Sequence, residues 1–168
     1  IGPCYRDKYA RIGMRAMDLL YEHNVKNKET GEVTQKLIWS EKYGELRDHV
    51  SEMIIEVHPY FYNRVEEYGI LVEGAQGYYL DIDHGDYPYV SSSHASVAGA
   101  LLNGLPFNKI RKVYGVIKGY ETYVGARAFQ GKDPIFDKLG DLGQEFGATT
   151  GRRRQCNWLD LDRLVKAM

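Results

Sequence analysis

The chain has 168 residues, 43% of them hydrophobic and 27% charged, with a formal net charge of −1. These values fit a folded globular chain and exclude a disordered or membrane-embedded class, and the near-zero charge gives no global pull toward nucleic acid or anionic lipid. No apolar run approaches the ~20 residues of a membrane-spanning helix.

We expect residues 1–168 to form a single domain, long enough to bury a real core. No signal peptide is visible, and Cys4 and Cys156 are far apart with no CxxC pair. A disulfide or zinc framework is therefore not expected, and a reducing compartment is the simpler assumption. The chain opens on Ile1-Gly2-Pro3 without an initiator methionine, which reads as the middle of a loop in a longer protein.

From Asp7 to Leu20 the pattern is helical, interrupted at Gly13; a continuing helix would put Arg11 and Arg15 on one face. Asn24 to Lys36 is polar and reads as a solvent loop or hairpin. Ser40 is a candidate N-cap for a helix that carries Leu46, Val50, Met53, Ile54 and Val57 at helical spacing. Pro59 ends or kinks it, and an aromatic-rich helical piece runs on to about Glu67, stopped by Gly69.

Ile70-Leu71-Val72 is a short apolar run of the kind buried on both faces of a parallel sheet. His94 to Leu105 reads as a buried helix and Lys112 to Tyr120 as a second strand. Strand, helix, strand at this spacing is a βαβ unit, so the expected class is α/β with a parallel sheet.

Four segments could carry chemistry. "EGAQG", Glu73 to Gly77, follows the first apolar run, where open parallel sheets bind ligands. Gln76 offers a donor and an acceptor suited to a base edge, although a plain strand-to-loop turn explains the position equally well. "DIDHGD", Asp81 to Asp86, fails the calcium-loop template because Gly85 stands at its fifth position and Ser92 where the bidentate Glu belongs. Its aspartates are expected to brace the loop through backbone N–H groups, and no metal site is assigned.

"SSSH", Ser91 to His94, precedes the expected helix, so its hydroxyls suit either a phosphate or plain capping. "FGATTGRRR", Phe146 to Arg154, sets two threonines between glycines ahead of three arginines. Guanidinium forks bind carboxylate and phosphate in two-pronged geometry, so a small-anion site is the better reading of this loop than a solvated basic run. The chain has no GxxxxGK[ST], GxSxG, HExxH or dinucleotide fingerprint.

"IGPCYRDKYARIGMR", "EGAQGYYLDIDHGDYPYVSSS" and "FGATTGRRR", with "IKGYETYVG" between the last two, together resemble the adenylosuccinate synthetase family in its own order. The resemblance implies a P-loop-NTPase-like α/β fold, a parallel sheet with helices on both faces, of which this chain is a central section. It implies a purine-nucleotide ligase of purine biosynthesis, cytoplasmic, joining L-aspartate to the 6-position of IMP through a 6-phosphoryl intermediate. GTP or ATP would be the co-substrate, with Mg2+ held by ligands outside this segment. A homodimer with shared active sites is implied, with no nucleic-acid or membrane partner.

Carried over residue by residue, the resemblance makes Arg11 a cross-subunit contact to the nucleotide phosphate. It puts Gln76 at the purine in a catalytic role, Ser91 at the phosphate and the Val124 backbone at the ribose. Thr149, Thr150 and Arg152 would grip the aspartate carboxylates, with Arg152 also near the ribose, and Arg154 would lie close to the triphosphate. The family's GDEGKGK loop, its catalytic histidine and its guanine-reading Lys-Leu-Asp are not in these residues, so the 168 residues alone are expected to be inactive.

Several positions depart from the family pattern. Ser91 replaces a threonine, His94 an asparagine and Tyr123 an arginine, and Arg127-Ala128-Phe129-Gln130 replaces Gly-Pro-Phe-Pro-Thr-Glu. The Arg15–Glu73 connector is also shortened. These changes lie on the phosphate and ribose side and open two alternatives. One is a virus-type synthetase condensing L-aspartate with dGMP toward diaminopurine DNA; the other is a nucleotide-binding domain without ligase activity.

Overall fold

The computed structural model describes residues 1–13, 15–20, 23–26, 30, 33–36, 44–148 and 150–168. They form two compact units, the first comprising Ile1–Glu73 with Ala98–Lys109 and the second Gly74–Val97 with Ile110–Met168. Ser40 and Glu41, expected to start a helix, and Thr149 lie outside the described residues.

In the first unit α1 (Gly2–Tyr9) begins where a loop was expected. Pro3 sits in its first turn, where a missing N–H costs nothing. The helix stops sooner than its pattern suggests: the N–H groups of Ile12 and Gly13 both fold back to the Asp7 carbonyl at 3.0 Å, and Arg11 takes a positive φ of 61°. Arg11 and Arg15 therefore do not share a helical face. A short 3-10 turn, Ala16–Leu19, buries Leu19.

The polar stretch forms a hairpin, β1 (His23–Lys26) against β2 (Val33–Lys36), antiparallel with His23 opposite Lys36. The next helix divides into α2 (Gly44–Val50), a 3-10 turn at Ser51–Met53 and α3 (Val57–Arg64). Pro59 does not end a helix; it occupies the first turn of α3, among the N–H groups that have no intrahelical partner.

Val97–Leu102 forms α4, shorter than expected, and Leu102 is exposed. In the first unit a Lys109–Glu66 ion pair ties the segment after α4 to the end of α3.

The second unit holds the better-buried centre. Glu121–Tyr123 (β3) pairs antiparallel with Gln155–Asn157 (β4), Tyr123 opposite Gln155. Ile135–Leu142 (α5) drops Phe136 into the core, edge-on to Trp158 at 5.0 Å between ring centres. Leu161–Ala167 (α6) is capped by Asp160, whose side chain accepts from the Arg163 N–H. Cys156, the middle residue of β4, is fully buried opposite Thr122.

The expected parallel βαβ unit is corrected. Among the described residues both sheets are two-stranded and antiparallel, and neither 70–72 nor 112–120 is a strand. The physical reason is pairing: an apolar run becomes a strand only beside a partner backbone, and here Leu71 is 88% and Val116 95% exposed. Helices and strands still interleave along the chain as an α/β class requires.

Candidate functional site

The loop from Gly74 to Ser96 is built around one carboxylate. Asp81 is fully buried, and its Oδ1 accepts from the Asp83 and His84 N–H groups while Oδ2 accepts from Ala95 and Ser96. Burial alone would raise its pKa, but the four N–H donors outweigh it and hold the group at about 2. Asp81 thus has the bracing role that its sequence context suggested. Gly85 makes the tight turn possible, since a Cβ there would overlap the carbonyl oxygens of Tyr79 and Asp81.

Two of the expected contact residues meet on this frame. Gln76 is exposed, at a positive φ of 64°, and its Oε1 lies 3.1 Å from the Ser93 hydroxyl, which is also 3.1 Å from Ser91 Oγ. A non-glycine residue with positive φ costs conformational energy and persists where its surroundings fix it, often at ligand sites. With Oε1 engaged, the carboxamide N–H2 has no partner among the described residues. Ser93 has no signal in the sequence beyond its place in a serine run.

Val124 follows β3 directly, and the segment after it is held by two side chains of β4: Asn157 donates through Nδ2 to the Phe129 carbonyl at 2.9 Å, and Gln155 does most of the rest. Gln155 on β4 accepts from the N–H groups of Phe129 (2.8 Å) and Gln130 (3.1 Å). It donates to the carbonyls of Gly125 (3.3 Å) and Arg127 (2.8 Å). All four hydrogen-bonding positions of one carboxamide are used. Nothing in the local pattern marks Gln155, because its partners are about 30 residues away in sequence.

The segment from Phe146 to Arg153 is a tight loop closed by a bridge between those two residues. The Gly147 N–H donates to the Arg152 carbonyl and the Gly151 N–H to Gly147, both at 2.8 Å; Gly151 carries the φ of +64° that the turn requires. Thr150 and Arg152 are exposed on it.

The three consecutive arginines differ in commitment. Arg153 donates to Asp141 Oδ1 and to the Asp137 carbonyl, and Arg154 donates through Nη1 to Glu145 Oε2 at 2.7 Å. The Arg152 guanidinium has no partner among the described residues.

Glu145 is buried and also meets Lys118 Nζ and the Tyr120 hydroxyl, each at 2.7 Å. Burial would raise its pKa; Lys118, Arg154 and Tyr120 overcome that and hold it at about 2. The Arg127 that departs from the family pattern points to Asp86 at 2.8 Å, and Arg163 reaches the same oxygen at 2.7 Å. Among the described residues the buried Nε atoms of both arginines have no hydrogen-bond partner, but aromatic rings lie over the guanidinium groups, with the Tyr79 ring centre 3.7 Å from Arg163 Cζ and the Tyr123 ring centre 5.0 Å from Arg127 Cζ.

One group among the described residues, Asp81, Asp83 and His94, brings possible metal ligands within 4.8 Å of one another. It does not fit magnesium: both Asp81 oxygens are already saturated by N–H donors, and an imidazole is a poor ligand for so hard a cation. Arg11 belongs to the first unit, exposed just past α1, whereas the remaining described site candidates belong to the second. No helix among the described residues is long and apolar enough to cross a membrane.

Comparison with known proteins bears on the whole chain. The adenylosuccinate synthetase family model matches residues 1–168. The chain is 42% identical over 180 residues to adenylosuccinate synthetase of Pelodictyon phaeoclathratiforme, covering 96% of this chain and 42% of that protein. It is 40% identical over 183 residues to the Ajellomyces capsulatus enzyme, with the same two coverages. Among solved structures it is similar to fully ligated adenylosuccinate synthetase from Plasmodium falciparum, with a TM-score of 0.82 and 30% identity over 99% of this chain and 43% of that one. That likeness carries the expected P-loop-like α/β fold class, and the chain spans about two-fifths of the length of the relatives it matches.

Proposed function

The chain belongs to the adenylosuccinate synthetase family, and from that premise we propose that it is the central, substrate-reading section of a C–N ligase joining L-aspartate to the 6-position of IMP. The observation that carries this is the 146–153 loop. It offers one uncommitted guanidinium, Arg152, and the Thr150 hydroxyl, which accepts the Arg152 backbone N–H at 3.4 Å, on a glycine-hinged turn, while Arg153 is engaged at both terminal nitrogens and Arg154 at one. An amino acid with two carboxylates needs such directional anchors to present a neutral amine to carbon 6. Thr149 completes the set in this reading.

Gln76 then faces the purine with its free N–H2, Ser91 the nucleotide phosphate, and the Val124 backbone the ribose. Arg154 faces the triphosphate, and Arg11 reaches a neighbouring subunit's nucleotide in a homodimer. GTP phosphorylates the 6-oxygen, and the aspartate amine displaces the phosphoryl-bearing oxygen; these residues position the reactants and stabilise charge. The magnesium that the family uses would be held outside these residues. Purine biosynthesis in the cytoplasm goes with the reading. The exposed apolar runs at 70–72 and 112–117 support the view of 1–168 as part of a longer catalytic domain, because bare strand-like segments call for cover.

Arg152→Leu in the whole protein should raise the aspartate KM strongly, by about 10²-fold, with nucleotide KM values changing much less. Arg152→Lys should rescue poorly, because a point charge does not reproduce the fork. Unaltered aspartate saturation would remove this loop as the amino-acid site. The ribose-side departures, Tyr123 and the inward-turned Arg127, favour dGMP as a second reading of the substrate. Turnover with IMP against dGMP separates the two, and turnover with neither leaves a nucleotide-binding domain.

A further inference from the structure

Glu145 lies outside every contact just assigned, yet three side chains converge on its buried carboxylate. Its two oxygens receive Lys118, Tyr120 and Arg154 at 2.7 Å, and its own backbone carbonyl accepts the Arg154 N–H at 2.8 Å. Side chain and main chain thus hold the same arginine. Only Nη1 of Arg154 is taken, and its Nε and Nη2 have no partner among the described residues. Arg153, by contrast, has both terminal nitrogens engaged.

We propose that Glu145 is a positioning residue that fixes Arg154 by one edge and leaves its Nε–Nη2 edge as a preset fork for the oxygens of a nucleoside triphosphate. The inference rests on the reading of Arg154 as a triphosphate contact. A guanidinium held on one side loses less freedom when it binds a second anion on the other. One carboxylate shared by two cations also leaves the cluster at net +1, so an incoming phosphate meets positive charge without Lys118 and Arg154 repelling each other apart.

The test uses the whole protein, with steady-state KM values for GTP, L-aspartate and the nucleoside monophosphate. Glu145→Gln should raise the GTP KM about tenfold and leave the other two within about twofold. The same change should add nothing once Arg154 is alanine. Arg154→Lys keeps the ion pair but has no second edge, so it should match Arg154→Ala. A folded Glu145→Gln with normal GTP KM, or with the same increment in the Arg154→Ala background, overturns the positioning role alone.

Should Glu145→Gln fail to fold, Arg154→Lys decides: a normal GTP KM overturns the proposal, and a rise equal to that of alanine supports it. Arg154→Ala with normal GTP KM overturns the triphosphate reading and the proposal together.

Discussion

Asp81 shows how one side chain sets a loop. Its carboxylate accepts four backbone N–H groups from two segments that the chain separates by about a dozen residues, and solvent does not reach it. Asparagine at this position supplies one acceptor oxygen and turns an amino group toward two of the donors. Asp81→Asn should cost about 3 kcal/mol in urea unfolding, the scale of stranded buried donors. The pH dependence follows from the lowered pKa of about 2. Such a group contributes its stability in full above its unfolded value near 4 and loses it as pH falls through 2; the contribution is about 2 kcal/mol. Wild-type stability should therefore fall steeply between pH 4 and 2, and Asp81→Asn should flatten that limb.

At the scale of elements, β3 and β4 are only three residues each, yet their register carries two candidate contacts. Tyr123 opposite Gln155 brings the segment carrying Val124 alongside the strand that leaves the arginine loop, and the Gln155 carboxamide then holds residues 125–130 at four points. Gln155→Leu keeps approximate volume and removes all four bonds. It should lose about 2 kcal/mol in chemical unfolding, less than four full bonds because water reaches part of the segment. It should also raise the nucleoside monophosphate KM while the aspartate KM stays near normal. A loss of stability with both KM values unchanged would separate Gln155 from the ribose side.

For the whole molecule, the division into two units matters because Arg11 stands in one and the remaining described site candidates in the other. Arg11 is exposed, at a positive φ, beyond a helix that ends early. In the proposed homodimer, this exposed guanidinium would complete a neighbouring subunit's phosphate site. Mixing Arg11→Leu chains with Arg152→Leu chains should restore activity in hybrid dimers, since one of the two shared sites then has both arginines intact. Hybrids verified by native mass measurement that remain inactive would count against shared sites.

What the sequence determined by itself was mostly local or carried by long motifs. The family was legible because "EGAQGYYLDIDHGDYPYVSSS" and "FGATTGRRR" are long enough to be specific, and the family model's match to residues 1–168 bears the resemblance out. The hairpin and the near half of the Asp81 bracing, from Asp83 and His84, were legible because they depend on nearby residues; the donors at Ala95 and Ser96 were not. Helices α5 and α6 carried ordinary signals, apolar spacing through Phe136 and Leu139 and a capping Asp160, that the pattern reading passed over.

The tertiary structure alone decided the rest. It showed that the runs at 70–72 and 112–120 do not pair in these residues, that Pro59 starts a helix rather than ending one, and that one carboxamide and one buried glutamate hold the candidate site. It also sorted three identical arginines into one free, one half-held and one fully engaged. The side-chain pairings among these outcomes depend on partners some 10 to 30 residues away, and spacing along a chain does not encode which distant donor an acceptor will meet.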